Sequence, residues 1–448
     1  MTYPPRRPAP PPAKWVAEAA PAVAGAGLLL VIGLSLTGES RRAVQAAGGW
    51  LTYGGRLSGL AGTYLLLIMV LLIGRIPLLE RTVGQDRLVR WHRQLGPWPI
   101  VLLGLHALLI TAGYAQTDRT GLLHQFWLLL TTYPDVLAGA AALGLLILAG
   151  VVSFRSARRR MRYETWWTVH LYTSLALALA FAHQLANGAS FVGHPLARAF
   201  WTLLWLATAG TVIVCRFGLP VWRTLRHQLR VVEVREEGPG VVSVICSGRH
   251  LERLAVSGGQ FFQWRFLVRG LWWQAHPYSL SALPRPPYLR VTVKGLGDQS
   301  DALARIPPGT RVAIEGPYGL FTDHARQRGR VLLVGAGVGV TPIRALLEDL
   351  PDRVDVAVVL RGSRPDDLVL REEVAALVRS RPHAVLHEII GPRDRVGLDP
   401  ATLRRLCPDV RHRDLYICGP EGFTEGVVGA ARWLSVPEDR IHVEEFAF

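Results

Sequence analysis

Lysine is almost missing and cysteine is scarce. Of 50 Lys and Arg residues only Lys14 and Lys294 are lysines, and the four cysteines, Cys215, Cys246, Cys407 and Cys418, stand far apart without a CxxC or CxxCH. That spacing argues against a disulfide framework, a cysteine zinc site, covalent c-type haem attachment and a fused iron–sulfur cluster. No EF-hand-like acidic loop is present, so calcium gating has no support. Charge itself is thin: 19% of the 448 residues are charged, whereas soluble proteins carry about a quarter. Hydrophobic residues make up 50% and the mean hydropathy is +0.24, which points to a membrane part. The net charge of +16 admits a nucleic-acid reading, and the positions of the arginines decide it.

Six stretches of the first 220 residues lack Asp, Glu, Lys and Arg: 19–37, 57–74, 94–117, 136–154, 166–185 and 199–215. A bilayer-spanning helix needs about 20 residues, so six spans are expected. The run 121–133 is too short to cross and reads as an interfacial segment; the proline-rich residues 1–17 read as a disordered tail. A signal peptide is the rival for 19–37, but that run exceeds the usual apolar core and no convincing cleavage site follows. Arg75, Arg81, Arg87, Arg90 and Arg93 lie between spans two and three, and Arg155, Arg158, Arg159, Arg160 and Arg162 between four and five. The alternate segments hold only Arg41, Arg42 and Arg56, then Arg119, then Arg198. By the positive-inside rule both termini face the cytoplasm, the surplus charge is mostly topological, and no nucleic-acid partner is expected.

Ionisable side chains inside a span are costly and by default functional. His92 and His106 belong to span three and His170 and His183 to span five, with spacings of 14 and 13 residues. Both intervals cover about 20 Å of helix, so His92 matches His170 in depth and His106 matches His183. Two pairs at two depths suit two stacked haems with both axial positions filled, which pass electrons rather than bind substrate. The rotation is awkward: fourteen residues return to within about 40° of the starting face but thirteen miss by about 140°, so span five needs a bulge, a bend or long reach. Packing histidines in a haem-free carrier or sensor bundle are the alternative.

The runs GRIPLLERTVGQDRLVRWHRQLGPWPIVLLGLH (74–106) and WWTVHLYTSLALALAFAH (166–183) resemble the ferric reductase-like transmembrane domain of NADPH oxidases and ferric reductases. The resemblance implies two b-type haems held by His92, His106, His170 and His183, and it carries the same interval of about 13 on one helix.

From Leu229 short alternating strands separated by glycine, proline and polar turns indicate a small antiparallel barrel. Within it lie His276-Pro277-Tyr278-Ser279-Leu280-Ser281, then Lys294-Gly295-Leu296-Gly297-Asp298-Gln299-Ser300, then Glu315-Gly316-Pro317-Tyr318-Gly319. In this order they resemble the FAD-binding domain of the ferredoxin-reductase superfamily, with His276 where many members have arginine. The resemblance implies that Tyr278 stacks on the flavin, Ser279 lies near its reactive nitrogen, and His276, Pro277, Leu280, Ser281, Lys294, Gly297, Gln299 and Ser300 help hold FAD.

The last 120 residues alternate strand and helix, as in a doubly wound sheet whose ligands sit at the carboxyl ends of the strands. The loop Gly335-Ala336-Gly337-Val338-Gly339-Val340-Thr341-Pro342 is GxGxGxTP and lacks the standard GxGxxG. With Cys418-Gly419-Pro420-Glu421-Gly422 it resembles the pyridine-nucleotide domain of the same superfamily, which implies that Cys418 lies beside the hydride path. Arg361, Ser363 and Arg364 follow the second strand, where cations would favour a 2′-phosphate and hence NADPH; Asp366 and Asp367 blur that preference. Relatives end on a Glu-x-aromatic whose ring covers the flavin; Phe446 fits that spacing and Phe448 is its rival.

The expected architecture is therefore a multidomain membrane protein: a six-helix bundle (18–220), an antiparallel β-barrel FAD domain (226–325) and an α/β doubly wound nucleotide-binding domain (328–448). Its expected activity is electron transfer from cytoplasmic NADPH through FAD and two haems to an acceptor outside a bacterial-type plasma membrane. Dioxygen giving superoxide is the first choice of acceptor, a ferric chelate the second, and a separate redox protein the third. Arg198 is read either as an attractor for an anionic acceptor or as a snorkelling anchor.

Overall fold

The computed structural model describes residues 14–36, 41–154, 161, 163–187, 194–295, 302–392 and 397–445. The chain divides into a helical unit, Ala13–Arg216, and a second unit whose described part begins at Phe217.

Long charge-free runs leave the backbone of the first unit no way to satisfy its polar groups in lipid except helix. Its helices are α1 (Lys14–Leu36), α2 (Arg41–Gln45), α3 (Gly49–Leu72), α4 (Pro77–Thr82), α5 (Gln85–Leu95), α6 (Pro97–Asp118), α7 (Leu122–Thr132), α8 (Val136–Ser153), α9 (Tyr163–Asn187) and α10 (Pro195–Val212). Pro77, Pro97 and Pro195 each open a helix, where the missing N–H costs nothing. Among the described residues, five helical stretches are long and apolar enough to cross a membrane: Ala17–Ser35, Gly49–Leu72, Arg87–Asp118, Val136–Ser153 and Pro195–His227. The fifth expected span, now α9, is 25 residues long and is not among those five stretches of the described residues. The third expected span starts earlier than its charge-free run and divides at Gly96, so His92 lies in the last turn of α5 while His106 lies within α6.

Two packing nodes hold this unit. Val31, Tyr64, Leu67, Trp201 and Trp205 are buried together, as are Leu66, Ala142, Leu146 and Ala176. Between the ring-bearing helices, Gln184 donates to Thr63 at 2.6 Å and accepts from the indoles of Trp201 at 2.7 Å and Trp205 at 3.2 Å. One half-buried amide thus pins α9 to α3 and α10 with its carbonyl and one N–H satisfied.

The second unit opens with α11 (Leu219–His227) and continues into strands β1 (Leu229–Gly238), β2 (Val241–Ser247), β3 (Phe261–Phe266), β4 (His276–Ser279), β5 (Tyr288–Lys294) and β6 (Arg311–Tyr318). They form one antiparallel sheet in the order β4-β3-β6-β1-β2-β5. Alternation does this: β3 reads FFQWRF, with Phe262, Trp264 and Phe266 buried and the residues between them half-buried. An isolated bridge between Leu280 and Val291 links the outer strands of that order.

Strands β7 (Arg330–Ala336), β8 (Asp355–Gly362), β9 (Ala384–Ile390), β10 (Asp414–Gly419) and β11 (Ile441–Glu445) form a parallel sheet ordered β11-β10-β7-β8-β9. Helices α12 (Val340–Asp349), α13 (Arg371–Arg379), α14 (Pro400–Leu406) and α15 (Glu421–Trp433) connect them. β7, β8 and β10 are buried on both faces, as continuous apolar runs in a covered parallel sheet should be. The chain reverses direction across the sheet between β7 and β10, and that switch point is where such folds bind ligands.

Candidate functional site

The four histidines come together in the two expected pairs. The ring centroids of His92 and His170 are 6.3 Å apart and those of His106 and His183 are 6.5 Å apart. A metal bound to an imidazole nitrogen at about 2 Å on each side separates two opposed rings by about 6 Å between centroids. Three rings are oriented through Nδ1: His92 to the Met69 carbonyl at 3.1 Å, His106 to Gly55 at 2.8 Å and His183 to Asp135 at 3.0 Å. A carbonyl can only accept, so each such bond puts the proton on Nδ1 and leaves Nε2 as a free donor to metal. Met69 lies in the last turn of α3, whose carbonyls lack helical partners. His170 differs: its Nδ1 has no hydrogen-bond partner among the described residues, and its ring stacks on Trp166 at 5.1 Å, whose indole donates to Ser153. Of the bulge, bend or long reach expected in span five, the bulge is not seen; α9 is α-helical throughout. The division at Gly96 puts the two partner rings on separate segments, so they need not share one face.

In the antiparallel sheet, β4 presents His276, Pro277, Tyr278 and Ser279. The rings of His276 and Tyr278 stack at 5.8 Å and 15°. Burial pushes the Tyr278 phenol above its ordinary value, so it stays neutral. Ser279 is 3% exposed, and its hydroxyl has no hydrogen-bond partner among the described residues. A buried hydroxyl left unmet costs roughly 1–3 kcal/mol, which a ligand heteroatom recovers. Leu280 and Ser281 follow, both buried. Lys294 closes β5, while Gly297, Gln299 and Ser300 lie outside the described residues.

At the switch point of the parallel sheet, Gly335 ends the apolar part of β7 and pairs with Cys418 of β10. Gly337 has φ +56°, a left-handed turn natural to glycine, and Thr341 donates back to the Val338 carbonyl at 3.0 Å. Val340, Thr341 and Pro342 form the first turn of α12. Gly339 is held against β10: a Cβ there would lie 2.4 Å from the Cys418 carbonyl oxygen. Gly419 is tight as well, since a Cβ would meet the Phe423 ring at 2.8 Å. Pro420, Glu421 and Gly422 lead into α15. Cys418 is fully buried, and burial followed by the Glu444 charge pushes its thiol well above the usual value. It is a neutral, small side chain rather than a thiolate. Phe446 and Phe448 lie outside the described residues.

The cations after β8 are arranged differently from the sequence expectation. Arg361 is buried, and its guanidinium donates to the carbonyls of Gly362, Gly391 and Pro392. Ser363 and Arg364 are exposed, and the Arg364 guanidinium lies 3.9 Å from Asp367. Arg364, rather than Arg361, is the exposed cation of the three residues at this strand end.

An ionic relay joins the two sheets of this unit, and nothing in the sequence motifs announced it. Arg290 of β5 donates to the Ser281 hydroxyl and makes a bidentate pair with Glu373 at 2.6 and 2.7 Å. Arg344 of α12 bridges Glu373 and Glu348, and Glu348 accepts from the Leu283 amide at 2.9 Å and from Arg285 at 2.6 Å. Burial alone would raise both carboxyls, but for Glu348 the Arg344 charge and for Glu373 the Arg290 hydrogen bond lead the opposing effects and hold them below their ordinary values. The segment that follows the orphan Ser279, from Ser281 to Arg290, is thus braced against the helix that begins at the glycine loop. Glu373→Gln is expected to lower the stability of this unit by about 1–3 kcal/mol at neutral pH. Because depressed carboxylates stabilise above their unfolded value and lose that effect as pH falls through the folded one, the deficit should shrink below about pH 4. Thermal unfolding of variant and wild type across pH checks both points, and equal melting at pH 7 contradicts them.

Residues 58–181 match the ferric reductase like transmembrane component and residues 333–429 the oxidoreductase NAD-binding domain. The chain has the modules of the fused ferric reductase/NADPH oxidase-like family. His92, His106 and His170 fall inside the first match and His183 two residues beyond it; the glycine loop and Cys418 to Gly422 fall inside the second. The chain is 31% identical over 209 residues to a flavohemoprotein of Deinococcus radiodurans, covering 43% of this chain and 52% of that one. It is 29% identical over 240 residues to an NADPH oxidoreductase of Mycobacterium tuberculosis, covering 51% and 62%. The chain thus spans between half and two thirds of the length of these curated relatives. Among solved structures, the flavohem-like FAD/NAD binding domain of nitric oxide dioxygenase from Vibrio cholerae is 23% identical with a TM-score of 0.42, covering 49% of this chain and 99% of that one.

Proposed function

We propose that this chain carries electrons from cytoplasmic NADPH across a bacterial plasma membrane to an acceptor on the far side, with dioxygen, giving superoxide, as that acceptor. The reading rests chiefly on the two histidine pairs, 6.3 and 6.5 Å between centroids, with three of four rings turned by backbone carbonyls so that Nε2 is free. Those residues fit two b-type haems: His92 with His170 and His106 with His183. Bound FAD converts a two-electron hydride donor into single electrons, and haem with both axial positions filled is a one-electron carrier.

The rest of the work falls to the chain. Ser279 offers its unmet hydroxyl to the flavin edge, and the His276–Tyr278 stack supplies a flat apolar neighbour. Gly335, Gly337 and Gly339 keep side chains away from the nucleotide phosphates, and the small, neutral Cys418 leaves the approach of the nicotinamide open. Arg364 supplies a cation suited to the 2′-phosphate of NADPH. The arginine-rich segments between spans two and three and between spans four and five support cytoplasmic termini. Arg198, in the first turn of α10 at the outer mouth of the sixth expected span, is available to an anionic product or chelate.

Purified protein in lipid should reduce cytochrome c with NADPH in a reaction that superoxide dismutase suppresses. Insensitivity to the dismutase together with rapid reduction of a ferric chelate rejects dioxygen in favour of iron. Poor turnover with both, despite pigment that NADPH reduces, points to a separate redox protein as acceptor.

A further inference from the structure

The outer pair of rings is seated by a device that, among the described residues, the inner pair lacks. On an α-helix each Cα–Cβ bond tilts toward the N-terminus, so the side chain of residue i+4 lies over the carbonyl of residue i. That carbonyl already accepts the amide of residue i+4 and is normally shielded from a second donor. His106 nevertheless reaches the Gly55 carbonyl at 2.8 Å, and the residue four places on is Gly59. A Cβ on Gly59 would lie 2.7 Å from the His106 Nδ1 and 3.1 Å from two carbons of the ring. His183 reaches the Asp135 carbonyl at 3.0 Å, which already accepts the Gly139 amide at 3.0 Å. A Cβ on Gly139 would lie 2.9 Å from two ring carbons of His183 and 3.1 Å from its Nδ1. The same arrangement, carbonyl at i and glycine at i+4, occurs on α3 for one ring and on α8 for the other. The inner pair is held differently: His92 uses a carbonyl in the last turn of α3, and His170 stacks on Trp166.

We propose that Gly59 and Gly139 are positioning residues for the outer metal site, opening the two carbonyls that fix the His106 and His183 rings in the tautomer whose Nε2 faces the partner. The inference rests on the haem reading above. It gives the outer site two ligands with hydrogen-bonded Nδ1 and the inner site one, so the two sites differ in ligand orientation and basicity.

The test uses the full-length protein and reads the ferric low-spin electron paramagnetic resonance signals and the haem-to-protein ratio. Gly59→Ala and Gly139→Ala should each shift or abolish the same one of two signals and leave the other unchanged, with up to half of the haem lost. Gly62→Ala is the control, because its Cβ would crowd Leu102 and Leu103 at 3.1 Å on the same helix without touching a histidine. Both signals should survive it. Two unchanged signals in Gly59→Ala and Gly139→Ala overturn the proposal, and so does the same loss in Gly62→Ala, which would mark general helix packing. If an alanine variant fails to assemble, pulsed resonance of the remote ring nitrogens in the wild-type protein decides. Two equivalent hydrogen-bonded nitrogens on one signal and an unequal pair on the other support the proposal; equal pairs on both reject it. A wild-type protein without either signal removes the haem reading itself.

Discussion

Alanine at His183 is expected to remove one of two haems and to cut electron delivery to the outside acceptor by about 100-fold or more, while NADPH still reduces the bound flavin at close to the wild-type rate. The size follows from what the side chain does. His183 stands 6.5 Å from His106 between centroids, is fixed by the Asp135 carbonyl, and no other described histidine ring is paired with that partner. Loss even of an outer hydrogen-bond partner costs a metal site about 10- to 100-fold, so loss of the ligand itself costs at least as much. In the proposed scheme flavin reduction draws on residues of the second unit and should be indifferent. Stopped-flow flavin bleaching beside haem quantitation separates the two steps; unchanged haem content, or parallel loss of flavin reduction, contradicts the assignment.

Valine at Gly339 should give the converse pattern. The added Cβ would meet the Cys418 carbonyl oxygen at 2.4 Å, its carbonyl carbon at 2.6 Å and the Gly419 Cα at 2.8 Å. All three are backbone atoms in a strand paired on both sides, so they cannot swing away. The glycine loop must lift from β10, and a displacement near 1 Å at a reacting centre costs about 100-fold in rate. Reduction of flavin by NADPH should therefore fall by about that factor, whereas FAD content and reduction of the flavin by dithionite should be kept. A Gly339→Val protein that bleaches its flavin normally with NADPH contradicts the placement of the nucleotide at this switch point.

How far the residues themselves announce this arrangement differs from element to element. The histidine spacing was legible because depth in a helix is a matter of counting, and two counts agreed. The strands of the antiparallel sheet were legible because FFQWRF and its neighbours alternate, and the glycine loop because it sits between an apolar strand and a helix. The division of α5 from α6 had a signal, the Gly96-Pro97 step, that charge counting passed over. The glycine notches had none: whether Gly59 faces a ring depends on how α3 is rotated against α6, which spacing within one helix does not fix. Arg361 illustrates a second limit. Its position at the end of β8 matched a phosphate-binding cation, but carbonyls about thirty residues later, at Gly391 and Pro392, absorb its guanidinium. The relay through Arg290, Glu373, Arg344, Glu348 and Arg285 was invisible for the same reason, since partners up to 83 residues apart leave no local pattern.

The central claim, that the histidine pairs are bridged by haem iron, is tested most directly by the pigment of the purified full-length protein. Pyridine haemochrome analysis should give two b-type haems per chain, low-spin in the ferric state, and both should turn ferrous when NADPH is added without oxygen. A preparation that is folded and binds FAD yet shows no Soret band contradicts the account at its root.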